Sequence, residues 1–185
     1  KESLTTEYNE ELNALPFDMK PRLDVGLCLG DSKIFMVYGQ IQEDDLLIDS
    51  TDVCYFDIAL KTWFKLEPDR SVSRNKLLPR HGVNCCYIAE QQALYVFGGQ
   101  GNEDDEQTKS MIYNCVQCFT LDFRSKTYKY EEYDKKSYLR SKVEYVPYYH
   151  SLSFPIKNGI LLLGGRHYGN CHYESDLDST TFLFR

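Results

Sequence analysis

Three short apolar runs, each stopped by glycine, constrain this chain more than any other feature. They are Lys33-Ile34-Phe35-Met36-Val37-Tyr38-Gly39, Ala93-Leu94-Tyr95-Val96-Phe97-Gly98-Gly99 and Gly159-Ile160-Leu161-Leu162-Leu163-Gly164-Gly165. Runs of this length, bounded by turn residues and rich in branched and aromatic side chains, read as buried strands. A glycine pair ending such a strand permits positive φ and a sharp exit, and the missing Cβ lets the next strand pass close by. From Gly39 to Gly98 the offset is 59 residues, and from Gly98 to Gly164 it is 66. Units that recur in this way form an array, because no single sheet can shield its own apolar faces.

Two further marks recur in the same order. Pro21-Arg22 and Pro79-Arg80 open the first two units, and a weaker Pro147-Tyr148 opens the third. After the glycines, Tyr55-Phe56-Asp57 is followed by Trp63 six residues past the aspartate, and Asp122 is followed by Tyr128 at the same spacing. An indole on an outer strand covers the flank of its neighbour and buries a large area.

Together these marks resemble the kelch repeat, an apolar strand ending in paired glycines, then a strand with Tyr and Asp, then a Trp about six residues on. The second unit matches well. The first has Gly39 followed by Gln40, and the third keeps Gly164-Gly165 but stops at the run Thr181-Phe182-Leu183-Phe184-Arg185, with no Asp or Trp after it. The resemblance implies an all-β, kelch-like β-propeller of four-stranded antiparallel blades. Both offsets exceed the roughly 50 residues of the usual period, so long loops are expected.

On this reading residues 21–66, 79–130 and 147–185 are three blades, the last incomplete. Residues 1–20 are the outer strand of a preceding blade or an N-terminal arm. The spacing Leu4, Tyr8, Leu12, Leu15 is also helical, and Pro16 would end such a helix. Strands are expected at 25–29, 34–38, 51–57 and 62–66, then 82–88, 94–97, 113–122 and 127–130, then 148–154, 160–163 and 180–184. Segments 40–50 and 100–110 are expected to be acidic loops, 67–76 a charged linker and 131–143 a charged connector. Three blades fall short of the four to eight that usually close, and an open arc leaves two apolar faces bare. The chain is therefore expected to be part of a larger propeller, with the remaining blades supplied by the same or another chain.

Composition bounds the function. The net charge of −7 argues against a nucleic-acid footprint. No apolar run approaches 18 residues, so no membrane span is expected. Seven irregularly spaced cysteines and no glycosylation sequon fit a reduced interior, cytoplasmic or nuclear.

Candidate chemistry is sparse. Cys115-Val116-Gln117-Cys118 lacks the second pair that a zinc site needs, and in a strand its two thiols point to opposite faces. His167, Cys171 and His172 share a loop with Asp176 and Asp178, a weak metal candidate beside the plainer reading of a polar surface loop. A copper oxidase on such a scaffold would use Tyr, Cys and His, but only four His are present. No phosphate cradle or nucleophile motif appears, and no cofactor is expected.

What stands out is charge segregation. Arg22, Arg80 and His81 lie at the openings of first strands, and Arg166 and His167 follow a glycine pair. Both kinds of position emerge on one face of an antiparallel sheet. Arginine forks suit carboxylates. The resemblance implies that this loop face docks acidic or mixed-charge peptide segments, with Arg22, Arg80, His81, Tyr148, Arg166 and His167 as the partner-binding residues. The plainer reading has the arginines satisfying sheet carbonyls or pairing with the acidic loops. The expected function is a non-catalytic protein-protein interaction module, a scaffold or adaptor in an intracellular complex. The alternatives are a segment of a multidomain enzyme with catalysis elsewhere, and a metal-dependent enzyme. As a surface charge, Arg80→Glu is expected to abolish partner capture and leave the fold intact, whereas Gly98→Val is expected to damage folding.

Overall fold

Successive short strands with polar turns fold back on one another in the computed structural model, which describes residues 19–69, 77–102, 110–113, 115–134, 151–157, 159–164 and 181–184. The strands are β1 (Arg22–Leu23), β2 (Gly26–Gly30), β3 (Lys33–Val37), β4 (Gln40–Glu43), β5 (Leu46–Asp49), β6 (Val53–Asp57), β7 (Thr62–Pro68), β8 (Asn84–Ile88), β9 (Ala93–Phe97), β10 (Gln100–Asn102), β11 (Ser110–Ile112), β12 (Cys115–Asp122), β13 (Thr127–Asp134), β14 (Leu152–Ile156), β15 (Gly159–Leu163) and β16 (Thr181–Phe184). A single 3-10 turn, Ala89–Gln91, separates β8 from β9. Among the described residues no helix is long and apolar enough to cross a membrane.

The strands β2-β3-β6-β7 and β8-β9-β12-β13 form two antiparallel meanders, and β14-β15-β16 forms a third sheet. The outer strands of the first two meet in a short parallel contact, Thr127 with Glu67 and Tyr128 with Pro68, which joins them into one eight-stranded mixed sheet. β2 lies against β8, and β8 against β14. The fold is all-β and β-propeller-like, with like sheets packed in succession.

The two faces of each sheet follow from strand parity. The forward face of the first unit carries Phe35, Val37, Val53 and Tyr55. It meets the rear face of the second, with Tyr87, Leu94, Val96 and Phe119, in one core. Phe35 stacks on Tyr87 with ring centroids 4.5 Å apart. The forward face of the second unit (Cys86, Phe97, Val116) covers Ile160 and Leu162 of the third. Each buried aromatic or aliphatic side chain contributes about 1.5–3 kcal/mol relative to exposure, so the units hold one another together. Gly30 makes room for this packing, since a Cβ there would lie 2.2 Å from Cδ1 of Tyr87.

Asp57 and Asp122 explain the aspartate of the pattern. Asp57 Oδ1 accepts from the backbone N–H of Ala59 and Leu60, and Asp122 Oδ1 from those of Arg124 and Ser125. Each caps the turn to the outer strand, and each turn ends in a left-handed lysine, Lys61 at φ 52° and Lys126 at φ 57°.

Several expectations are corrected. Gly39 aligns with Gly99, not Gly98, with φ of 92° and 94°; the first position of the pair is Tyr38 in unit one, at φ 62°, and Gly98 and Gly164, both at φ 64°. Residues 40–50 are not a loop but the hairpin β4–β5, to which β1 adds a third strand. Parts of 100–110 pair as β10–β11. The outer strands run on to Pro68 and Asp134, into stretches expected to be linker and connector.

Candidate functional site at the loop end of the sheets

The segments that open the first two units lie side by side at the end of the sheets where β3 and β9 exit. Gly39 N–H donates to Arg80 O at 3.1 Å, and Gly82 N–H to Asp24 O at 2.8 Å. His81 exchanges backbone hydrogen bonds with Gln100, at 2.8 and 2.9 Å. Of the residues marked by sequence, this brings Arg22, Arg80 and His81 together. Tyr148, Arg166 and His167 lie outside the described residues, as do Cys171, His172, Asp176 and Asp178.

The two arginines occupy equivalent places and do not present their charge at the surface. Arg22 Nη1 donates to Tyr38 O at 3.4 Å and to Ser50 Oγ at 2.8 Å, while Nη2 pairs with Asp52 Oδ2. Lys65 Nζ approaches the other carboxylate oxygen of Asp52 at 2.8 Å. Burial pulls the Asp52 carboxyl up, but hydrogen bonds from Lys65 and Arg22 outweigh it and hold the group below its ordinary value.

Arg80 is 1 % exposed. Its Nη1 donates to Gly98 O and to Cys115 Sγ, both at 3.3 Å, and Nη2 stands 3.7 Å from Glu132 Oε2. The guanidinium lies over the Tyr113 ring, 3.7 Å from its centroid, with the Tyr38 ring at 5.6 Å. Burial works against this charge, but Tyr38, Cys115 and Glu132 outweigh it and raise the pKa further. Burial likewise pushes the Cys115 thiol up, against the pull of Arg80. The expectation of a surface Arg80 is therefore corrected. Its side chain clamps the end of β9 to β12 and β13, and arginine's weak hydration and planar shape suit that enclosure.

His81 is held in a similar way. Its Nδ1 lies 2.7 Å from Asp49 Oδ1, on the β4–β5 hairpin of the preceding unit. The carboxylate can only accept, so Nδ1–H is the donor of this bond. Gln40 Nε2 donates to the same Asp49 oxygen at 3.1 Å.

Sequence reasoning missed a buried polar cluster just inside this layer. Tyr38 Oη donates to Gln117 Oε1 at 2.7 Å across the first two units. Gln117 Nε2 donates to Tyr130 Oη at 3.1 Å and to Glu132 Oε2 at 3.0 Å, and Tyr130 Oη donates to Glu132 at 2.6 Å. Burial pulls Glu132 up, but Tyr130, Gln117 and Arg80 hold it below the ordinary value. Burial keeps Tyr38 protonated well above the usual tyrosine range. A tyrosine standing where two sister units have glycine was the available signal.

Outside the clamp, the β4–β5 hairpin carries the exposed chemistry. Leu46 is 62 % exposed, Leu47 is exposed beside it, and Asp44 and Asp45 form the turn next to Glu43 at the end of β4. Asp44 takes φ 52°, which Asp tolerates. Lys20 pairs with Glu43 at 2.7 Å. Among the described residues no three His, Cys, Asp or Glu side chains gather as a metal site requires.

No family model matches the chain, and no curated protein matches it. Among solved structures 133 chains are similar, and a shared fold does not by itself name a function. One of them, titled "Structure of YjhT", has a TM-score of 0.52 and 12 % identity over 79 % of this chain and 45 % of that one. This chain thus spans less than half of that structure.

Proposed function

We propose that the chain is a kelch-like propeller segment serving as a non-catalytic protein-protein interaction module, a scaffold or adaptor in a cytoplasmic or nuclear complex. The carrying observation is the anchored hairpin. Asp49 is tied to His81 of the next unit, and β1 and Gln40 brace the strands, so Leu46 and Leu47 project from a fixed base. Exposed apolar side chains on a rigid loop scaffold suit partner recognition. Six free thiols among the described residues support a reducing compartment.

With Arg22 and Arg80 enclosed, the partner is a mixed-charge segment with an apolar anchor for Leu46 and Leu47 and a basic flank for Glu43, Asp44 and Asp45. The test is capture of co-purifying chains, identified and weighed by mass spectrometry, on immobilised protein. The paired substitution Leu46→Ser and Leu47→Ser is expected to lose a partner that Leu60→Ser, an equally exposed leucine on the β6–β7 turn, retains. Equal capture by both would remove the hairpin from recognition.

A further inference from the structure

Where β2 of the first sheet lies along β8 of the second, alternate residues of the two segments face each other. Gly26, Cys28 and Gly30 point forward, and Val83, Cys85 and Tyr87 point back. The approach is close on both sides of Cys28. A Cβ at Gly26 would lie 2.7 Å from Val83 Cγ2 and 3.4 Å from Cys85 Sγ, and one at Gly30 would lie 3.1 Å from Cβ of Tyr87. The spacing of the strands at Cys28 therefore suits a disulfide, whose Cβ atoms stand about 3.5–4.5 Å apart. The thiols of Cys28 and Cys85 are already hydrogen-bonded to each other. The other four described thiols are placed otherwise. Cys86 and Cys118 lie on the face turned to the third sheet, Cys54 on the rear of the first, and Cys115 takes a bond from Arg80.

We propose that Cys28 and Cys85 are a redox-sensitive pair whose disulfide staples the first sheet to the second, with a hydroperoxide as oxidant. Cys28 is half-buried on a strand at the edge of its sheet and meets the oxidant first, whereas Cys85 is enclosed. The bond with Cys28, and then burial, push the Cys85 thiol well above its ordinary value, so it is the resolving sulfur rather than the attacking one. Cys28 loses its proton and its sulfur attacks one peroxide oxygen. The O–O bond breaks, a sulfenic acid is left on Cys28, and the departing oxygen takes up the proton. The Cys85 sulfur then attacks that of Cys28. The S–O bond breaks, and the hydroxide leaves as water with the Cys85 proton. Two thiols and hydrogen peroxide thus become one disulfide and two waters, and a dithiol reductant reverses the link. Closing the chain between Cys28 and Cys85 restricts the unfolded state and so favours the folded one. The pair lies between the sheets, away from β4–β5, so this proposal is independent of the hairpin reading.

The test is oxidation of the native 185-residue protein by hydrogen peroxide, then blocking of the remaining thiols with a maleimide in denaturant and peptide mapping without reductant. One link is expected, Cys28 to Cys85 within a single molecule, and dithiothreitol removes it. The same oxidation in urea is expected to scatter links among the seven cysteines. The oxidised protein should unfold at a higher urea concentration than the reduced protein. Cys28→Ser, at the half-buried position, should erase that difference, and Cys85→Ala, which keeps the enclosed position apolar, should do the same. Full alkylation of both thiols after native oxidation, a different linked pair, equal selectivity in urea, Cys28 carried to the sulfinic acid without a link, or a link that leaves the urea midpoint unmoved would each overturn the proposal.

Discussion

Replacing Arg80 measures how far the loop end is a clamp rather than a docking surface. Arg80→Met keeps length and apolar bulk but removes the donors to Gly98 O and Cys115 Sγ and the charge facing Glu132. Hydrogen bonds from a charged group contribute about 1.5–3 kcal/mol each, and a desolvated cation over an aromatic ring about 2 kcal/mol. Removing the guanidinium's own desolvation cost offsets part of that loss. Glu132 keeps its bonds from Gln117 and Tyr130 and is 37 % exposed, so it is not left an unpaired buried charge, and the net loss is about 2–4 kcal/mol, below that of a fully buried pair broken from one side. Set against a total stability of about 5–15 kcal/mol, the variant folds marginally.

Arg80→Glu does worse. It places a second carboxylate beside Glu132 and is expected to abolish folding, the opposite of what a surface charge would do. Urea titration followed by Trp63, the single tryptophan, reads the Arg80→Met loss as a fall of about 1–2 M in midpoint, taking a slope of about 2 kcal/mol/M. Adding Glu132→Gln to Arg80→Met isolates the pair, with an expected coupling of about 0.5–3 kcal/mol. A soluble Arg80→Glu protein with an unchanged midpoint would refute the clamp.

Three other outcomes are expected. Asp52 titrates below its ordinary value when folded, so its contribution is present above the unfolded pKa of about 3.9 and is lost as pH falls through the lower folded value; Asp52→Asn should flatten the acid limb of a stability-pH curve below about pH 4. Tyr38→Phe leaves Gln117 Oε1 without its donor and should cost about 1–3 kcal/mol by thermal or urea melting, with no change if the hydroxyl is idle. Gly99→Ala meets Val83 Cγ1 at 2.5 Å and His81 O at 3.0 Å at φ 94°, and should destabilise by about 1–3 kcal/mol, whereas Gln100→Ala, one residue on, should not lower the melting temperature comparably.

The strands were legible because each carries a local signature: an apolar run, a stop at glycine, an aspartate that caps the next turn. The exact register of the first unit was not, since Tyr38 fills a glycine position and the eye aligns Gly39 one residue early. The left-handed backbone is kept there although tyrosine gains nothing from it locally, and the compensation is tertiary, the hydroxyl reaching Gln117 79 residues away. The hairpin β4–β5 was hidden by its acids, which read as solvated loop, although Ile41 pairs with Ile48 in an ordinary antiparallel ladder. The burial of Arg80 was hidden by base expectation, because arginine is almost never fully enclosed unless paired. Nothing near Arg80 in sequence announces Cys115 or Glu132 as its partners.

Comparing the two clamps shows which parts of the loop end belong to the fold. Strand register makes Ser50 the equivalent of Tyr113, Asp52 of Cys115 and Lys65 of Glu132. Every side chain around the guanidinium differs between the units: Asp52 gives way to the Cys115 thiol, and Lys65 to the oppositely charged Glu132. Yet both arginines donate to the carbonyl of the first residue of the glycine-type pair, Tyr38 or Gly98. The constant element is thus the arginine-to-carbonyl tie that fixes where the chain leaves its second strand. A group spent on that tie, and sealed beneath Tyr113 in one unit, has no free face for a partner. A partner of the kind proposed above would then meet whatever projects beyond the tie. In the first unit this is the turn Glu43-Asp44-Asp45-Leu46, whose side chains make few demands on the sheets below and are therefore free to differ from unit to unit.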